Sequence, residues 1–420
     1  MTAAPHAASA AVDAPLSLVI VSGMYPPIQT GTAFYARNLA RALAQAGHRV
    51  RVVALGEVQD SDAAEPFRTD RLAAWPVPLP GFFKHFRIAS LLPSNYRRLH
   101  AVLHEDRVQA VLLVNHYLDI AFPAVYATRR ARVPLVCSVG TQLQSSNPRR
   151  NRILGLLDRL ICGTLVFPFC ARVIAWDNEI LRYLAERQGR RVTRKTVIVN
   201  YGVNGDIERF LSHVHDASLR GQILGVGAVS EQRSFVPLVR AFAAIADAFP
   251  QARVKIIGHV YHDAAPRLAR ELGVADRVEF TGEQSHAQVM QQMQCSDVLY
   301  SSLTGEYVGL GTATIESMLM GLPVLANVPL DLLGRARLED GVHLMRCADN
   351  DPQALAGQLT RLLSDQALRE RLSAGGRSFV LTHMNWSKVA SDMVDVLRDQ
   401  VRAAAPGHAS LATVDRRAAP

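Results

Sequence analysis

Short apolar runs that alternate with helical patterns leave this chain little choice of architecture. LSLVIVS (16–22) is followed by a helical stretch from about Thr32 to Gly47, then by HRVRVVAL (48–55), VQAVLLVN (108–115), VPLVCSV (133–139), ARVIAW (171–176) and KTVIVN (195–200). The pattern then restarts with RGQILGVGAV (220–229), ARVKIIGHV (252–260), DRVEFTG (276–282), CSDVLYSS (295–302) and LPVLANV (322–328). Strands apolar along most of their length are buried on both faces. A sheet achieves that when helices cross over it between parallel neighbours. The expected fold class is α/β, with two successive doubly wound, Rossmann-like domains. Such sheets bind ligands outside the carboxyl ends of their strands, here at a cleft between the halves. Gly47 stands where the end of the first helix calls for a positive φ.

At 420 residues the chain is too long for one hydrophobic core, which also favours two domains. The expected boundaries are a disordered segment at 1–14, a first domain at 15–205, and a Gly-, Asn-, Asp- and Ser-rich linker at 206–219. A second domain follows at 220–380, then a helix at 381–403 packing back on the first domain and a disordered tail at 404–420. No apolar run is long enough to span a bilayer, and MTAAPHAASAAVDAP lacks the basic start and apolar stretch of a signal peptide. The expected location is cytoplasmic. Five cysteines without C-x-x-C spacing read as reduced thiols, with neither a metal site nor a disulfide framework. A net charge of +9 asks for an acidic partner: nucleic acid, anionic lipid or a phosphorylated small molecule. No nucleic-acid-binding module or stacking platform is present, which sets the first aside.

The most informative stretch is GEYVGLGTATIESMLMGLPVLA (305–326). A Gly-rich loop leaves one strand and enters a short helix, with Thr312 as the expected N-cap and Gly321 as the expected stop. A helix N-terminus offers free N–H groups and a positive dipole end, so Gly309, Gly311, Thr312, Ala313 and Thr314 form a candidate phosphate site. Glu316 falls about one turn in. A carboxylate there would repel phosphate, so it makes sense against hydroxyls such as those of a ribose. The plainer reading is that Glu316 complements the helix dipole and the glycines only turn the chain.

The order of segments resembles GT-B fold glycosyltransferases of the family 4 type over residues 16 to 400. The carrying stretches are MYPPIQTGTAFYARNLARALAQAGHRVRVVAL, VNYGVNGDIERF, ILGVGAVSEQRSFVPLVRAF, ARELGVADRVEFTG with SDVLYSS, ESMLMGLPVLA and MNWSKVASDMVDVL. The resemblance implies a retaining hexosyltransferase that uses a nucleoside diphosphate sugar, with neither a cofactor nor a metal. It places Glu316 on the donor ribose, Arg233 in the diphosphate clamp, and Thr30-Gly31 in an acceptor-side loop. It also places His116 near the donor sugar and His259, after Gly258, near the donor base.

Several positions depart from the family pattern. The first clamp cation is replaced by Ala228, and Arg233 stands for the usual lysine. The first motif carboxylate should lie eight residues before Glu316, where Val308 stands; Glu306, ten before, is the expected substitute. The opening loop has one glycine of a usual pair, and Gly140 with Thr141 replaces a frequent histidine. These departures leave two alternatives open: a non-catalytic protein that binds a nucleotide sugar or partner, and a GT-B nucleotide-sugar epimerase. A nicotinamide dehydrogenase is disfavoured, since no G-x-G-x-x-G follows the first strand.

Two first-domain stretches bear on the acceptor. Residues 81–100 interleave Phe82, Phe83 and Phe86 with Lys84, Arg87, Arg97 and Arg98, and residues 148–169 begin basic and continue apolar. Basic residues beside exposed apolar ones suit an anionic membrane surface. Core-facing helices with solvated arginines are the competing reading. The membrane reading makes the acceptor lipid-linked, in cell-surface polysaccharide or glycolipid assembly, with the protein peripheral on the inner face.

Overall fold

A computed structural model describes residues 14–28, 30–77, 86–145, 147–203, 221–230, 233–301, 309–347 and 351–405. The segments expected at 1–14, 206–219 and 404–420 lie almost wholly outside these residues, as do Glu306, Val308, Phe82, Phe83 and Lys84. The chain divides into two compact units: Met1–Trp176 with Ile180–Val199 and Trp386–Pro420, and Asp177–Glu179 with Asn200–Asn385.

The first unit holds a seven-stranded sheet. Its strands are β1 (Ser17–Ser22), β2 (Arg49–Leu55), β3 (Arg68–Leu72), β4 (Ala110–Val114), β5 (Leu135–Val139), β6 (Arg172–Ala175) and β7 (Thr196–Ile198). They pair in parallel in the order β3-β2-β1-β4-β5-β6-β7. Central β1 sets Leu18 against both Val50 and Ala110 and is buried along its length, as its unbroken apolar run requires. Helix α1 (Gly31–Gln45) follows β1, and Gly47 has φ +86 just beyond its end. Helix α2 (Pro148–Leu157) follows β5.

Strand β3, RTDRL, carries no apolar signal and was not among the expected strands. It survives because Asp70 pairs with Arg51 of β2, whose guanidinium also reaches Glu105 at 3.0 Å and Asp106 at 2.8 Å. Charge thus holds an edge that hydrophobicity does not announce.

The second unit has a six-stranded parallel sheet. It comprises β8 (Gln222–Val226), β9 (Arg253–Ile257), β10 (Val278–Gly282), β11 (Val298–Ser301), β12 (Val324–Ala326) and β13 (Met345–Arg346), in the order β10-β9-β8-β11-β12-β13. Both sheets reverse direction of growth beside their first strand, so each is doubly wound as expected for the GT-B class. Ile223, Val254, Ile256, Val298 and Leu325 from the sheet pack with Leu238, Phe242, Leu355 and Leu359 from the helices on it. Helix α3 (His286–Gln294) precedes β11, and α4 (Thr312–Met320) joins β11 to β12.

The last helix, α5 (Trp386–Ala404), belongs to the first unit and packs on α1. Its buried Val389, Ala390, Met393, Val394 and Leu397 recur at helical spacing, which is why one face can lie on a neighbour.

Candidate active site

The start of α4 is where the sequence reading expects a phosphate. Gly311, not Thr312, is the N-cap; its backbone is extended, and no side chain caps the helix. Thr312 is the first helical residue and is exposed, so the hydroxyl expected to cap is free to face outward. The N–H groups of Thr312 and Ala313 have no acceptor within the helix, as in any first turn. Thr314 points back to the sheet, its hydroxyl 2.6 Å from that of Ser301. The Tyr201 hydroxyl donates to the Leu310 carbonyl, which ties down the loop that carries Gly309 and Gly311. Gly321 closes the helix at φ +78, the left-handed region that favours glycine.

Arg233 lies over this corner. A Cβ at Gly227 would sit 2.1 Å from its Nη1, and one at Gly311 would sit 3.7 Å from its Nη2. Gly227, at φ +132, is therefore the floor on which the guanidinium rests. Among the described residues no carboxylate pairs with Arg233, and burial alone pulls its pKa below the ordinary arginine value. A half-buried cation with no carboxylate partner among the described residues, beside helix N–H groups without intrahelical acceptors, could pair with an anion. Ala228, at the other clamp position, contributes only backbone there.

Glu316 is the fifth residue of α4, in its second turn rather than its first, and is 9% exposed. Its Oε1 lies 3.0 Å from Nε2 of His286, a residue that no reading of the sequence singled out. His286 opens α3, whose start is fixed by a capping box in which Ser285 and Gln288 bond each other's backbone N–H. S-H-A-Q does signal that cap from sequence, but nothing local says that the first residue of α3 meets a carboxylate 30 positions on.

His259 is exposed and its ring lies against that of Tyr261, with centroids 4.4 Å apart and the planes tilted by 58°. It follows Gly258, where a Cβ would fall 2.2 Å from the Gly227 carbonyl oxygen. The Gly258 turn, the Gly227 floor, Arg233 and the α4 N-terminus thus adjoin one another, and the sequence-expected donor residues come together in one unit. Glu306 lies outside the described residues.

In the first unit, the Thr30 side chain caps α1 by accepting from Ala33 N at 3.2 Å, and Gly31 is exposed with open space around it. Asn115, at φ +63 just beyond β4, donates to Thr32 at 3.0 Å and accepts from Gly140 N at 3.0 Å. Thr141 lies 3.3 Å from Asn115 Nδ2 and from the Thr32 hydroxyl. Strand ends and the α1 N-terminus are so joined by polar groups that the sequence reading left unassigned. Gly140 has its own reason: a Cβ there would fall about 2 Å from the Trp176 ring. No larger residue fits where the family often has histidine.

His116, expected to act beside the donor sugar, is 1% exposed. Its Nε2 meets Asp158 at 3.1 Å, and Asp158 also accepts from the Tyr183 hydroxyl at 2.9 Å. The ring lies 4.9 Å from that of Phe167. In this arrangement His116 is sealed inside the first unit and offers no face to a substrate. Cys162 joins it and Asp158 in a buried group whose ligand-type atoms lie within 4.8 Å of one another. No metal was expected from sequence. Here the carboxylate is already held by Tyr183 and His116, and Cys162 by the His116 carbonyl.

With this geometry in hand, comparison with known proteins is informative. A family profile described as Glycosyltransferase Family 4 matches residues 30–206, and one described as Glycosyl transferases group 1 matches 220–365. A D-inositol 3-phosphate glycosyltransferase of Thermomonospora curvata is 29% identical over 70% of this chain and 74% of its own. A phosphatidyl-myo-inositol mannosyltransferase of Mycobacterium leprae is 26% identical over 87% and 92%. The crystal structure of Anabaena HepE in complex with UDP superposes with a TM-score of 0.70 at 16% identity, covering 91% of this chain and all of that one.

Proposed function

This chain belongs to the family 4 type of GT-B fold glycosyltransferases, and we propose that it moves a hexosyl group from a nucleoside diphosphate sugar to a hydroxyl of a lipid-linked acceptor, with retention at the anomeric carbon. The observation that carries the donor half is Arg233, a cation without a described carboxylate partner, resting on Gly227 beside the orphan N–H groups of α4. A diphosphate there gains charge as the sugar departs, which is when such donors act most strongly. Glu316, held by His286, accepts from the ribose hydroxyls, Glu306 from those of the sugar, and the exposed His259–Tyr261 pair is a surface for the base. Thr30 and Gly31 line the acceptor side. His116 supports the framework there through Asp158 and does not touch the sugar.

Retention follows from a leaving phosphate that stays on the face it leaves. The bond from the anomeric carbon to the phosphate oxygen breaks, the acceptor oxygen bonds to that carbon from the same face, and its proton passes to the phosphate. The lipid-linked acceptor is supported by relatives named for phosphatidyl-myo-inositol and for lipopolysaccharide core. Among the described residues no helix is long and apolar enough to cross a membrane, and we place the protein in the cytoplasm, peripheral on the inner face.

The test is nucleotide titration of the wild type, Glu316→Gln, His286→Ala and His286→Gln, following thermal unfolding. A nucleotide at a hundred times its Kd should stabilise the wild type by about 2.7 kcal/mol. Among UDP, GDP, ADP and CMP, one is expected to do so. Glu316→Gln should lose the response, His286→Ala should lose part of it, and His286→Gln should recover it. A wild type indifferent to all four would overturn the donor site. Ala228 favours a second reading, a protein that binds without turning over; binding with no turnover on matching sugar donors would establish it.

A further inference from the structure

Resting on the peripheral placement proposed above, we infer that the helical segment from Pro148 to Leu165 is a seat for an anionic bilayer, entered by its apolar side chains and framed by its arginines. The segment runs from α2 through one π-helical turn, Asp158–Cys162, to a last turn at Gly163–Leu165. Ile153, Leu156, Leu157, Leu160, Ile161 and Leu165 are each between 38% and 59% exposed. Their spacing of three and four residues makes them one stripe. The opposite face turns inward: Gly155 lies against Arg187, while Asp158 and Cys162 join His116. The wider π turn keeps both polar residues inside while the leucines on either side stay out. An apolar stripe of this kind in water is a cost unless something covers it.

Charge selects what covers it. Arg149, Arg150, Arg152 and Arg159 are exposed along the segment, and its one acid, Asp158, is buried. Arg159 donates to the carbonyls of Arg187 and Glu186, which brings the following short helix, Arg190–Thr193, alongside. Arg190, Arg191 and Arg194 are exposed there as well. A second copy docked stripe to stripe would set these guanidinium groups against their own kind. An anionic headgroup layer pairs with them while the acyl region takes the leucines. In the other candidate stretch, 81–100, residues 81–85 lie outside the described residues, and Arg98 is already paired with Asp70 at 2.7 Å and Glu105 at 3.3 Å.

The experiment is sedimentation of the full chain with phosphatidylcholine vesicles, with and without one third phosphatidylglycerol. Wild type should pellet with the anionic vesicles and far less with the neutral ones. Leu156→Gln with Leu160→Gln should weaken binding at least tenfold. Arg149→Ala with Arg150→Ala and Arg152→Ala should weaken it on the order of a hundredfold, at roughly tenfold or less per charge. Unchanged thermal unfolding and nucleotide response would show that the variants are folded, and would keep this outcome separate from the fate of the donor site. Wild type that ignores anionic vesicles, variants that bind as wild type does, or a dimer in sedimentation equilibrium that Leu156→Gln dissolves would each overturn the inference.

Discussion

Arg233 shows how a residue proposed to bind the donor can work against the fold that carries it. Its guanidinium is held over Gly227 and Gly311 with no carboxylate partner among the described residues, and burial lowers its pKa, so the charge is partly desolvated where it stands. Removing it should cost catalysis and spare stability. We predict that Arg233→Ala lowers kcat/KM by a factor on the order of 10² to 10³, while its Tm without nucleotide stays level or rises. Arg233→Lys should restore part of the rate, since a point charge still reaches the diphosphate but cannot bond it in two places. Steady-state kinetics beside thermal unfolding decides this. A large fall in Tm, with kcat/KM scaling only with the folded fraction, would make Arg233 a structural residue instead.

At the level of elements, the turn from α4 into β12 rests on Gly321. It has φ +78, and a Cβ there would lie 2.9 Å from the Ser373 hydroxyl. Gly321→Ala should therefore destabilise the protein by about 1–2 kcal/mol from the backbone alone, read as a lower urea midpoint at unchanged m. A neutral result would mean that the turn relaxes to another conformation. Gly-Leu-Pro announced this stop, just as unbroken apolar runs announced β1, β4, β5 and β6, because burial and backbone sterics act on adjacent residues. What escaped was written in residues far apart. Strand β3 is stabilised by Asp70 meeting Arg51 across the sheet, Glu316 by His286 from another helix, and the strand-end network by Asn115, Thr32 and Thr141. Local sequence around His116 does not foresee Asp158, which a π turn brings inward 42 residues later. The residue type of Thr312 favours a cap, yet Gly311 fills that position and leaves the first turn without a side-chain cap.

Across the whole molecule, the two units should differ in their answer to acid. Burial pushes the Asp70 carboxyl up, but Arg51 and Arg98 pull it down further, leaving it below its ordinary value. Burial likewise pushes Asp158 up, and His116 with Tyr183 and Cys162 pulls it below. A carboxylate whose pKa is lower folded than unfolded binds its proton more readily in the unfolded chain. Its stabilisation is therefore whole above the unfolded value of about 3.9 and is lost as pH falls through the folded one. Both groups belong to the first unit, and so do all three tryptophans, Trp75, Trp176 and Trp386. Tryptophan fluorescence therefore reports that unit alone, whereas far-ultraviolet circular dichroism reports both. Lowering pH from about 5 toward 2, we predict that the fluorescence transition comes first, with helical signal from the second unit persisting below it. In Asp70→Asn the buried Arg51 loses its main counter-charge, which should cost about 3–5 kcal/mol at neutral pH and move the fluorescence midpoint upward, leaving the later dichroism transition where it was. If both signals collapse together in wild type and variant alike, the units do not unfold separately, and acid sensitivity is a property of the whole chain.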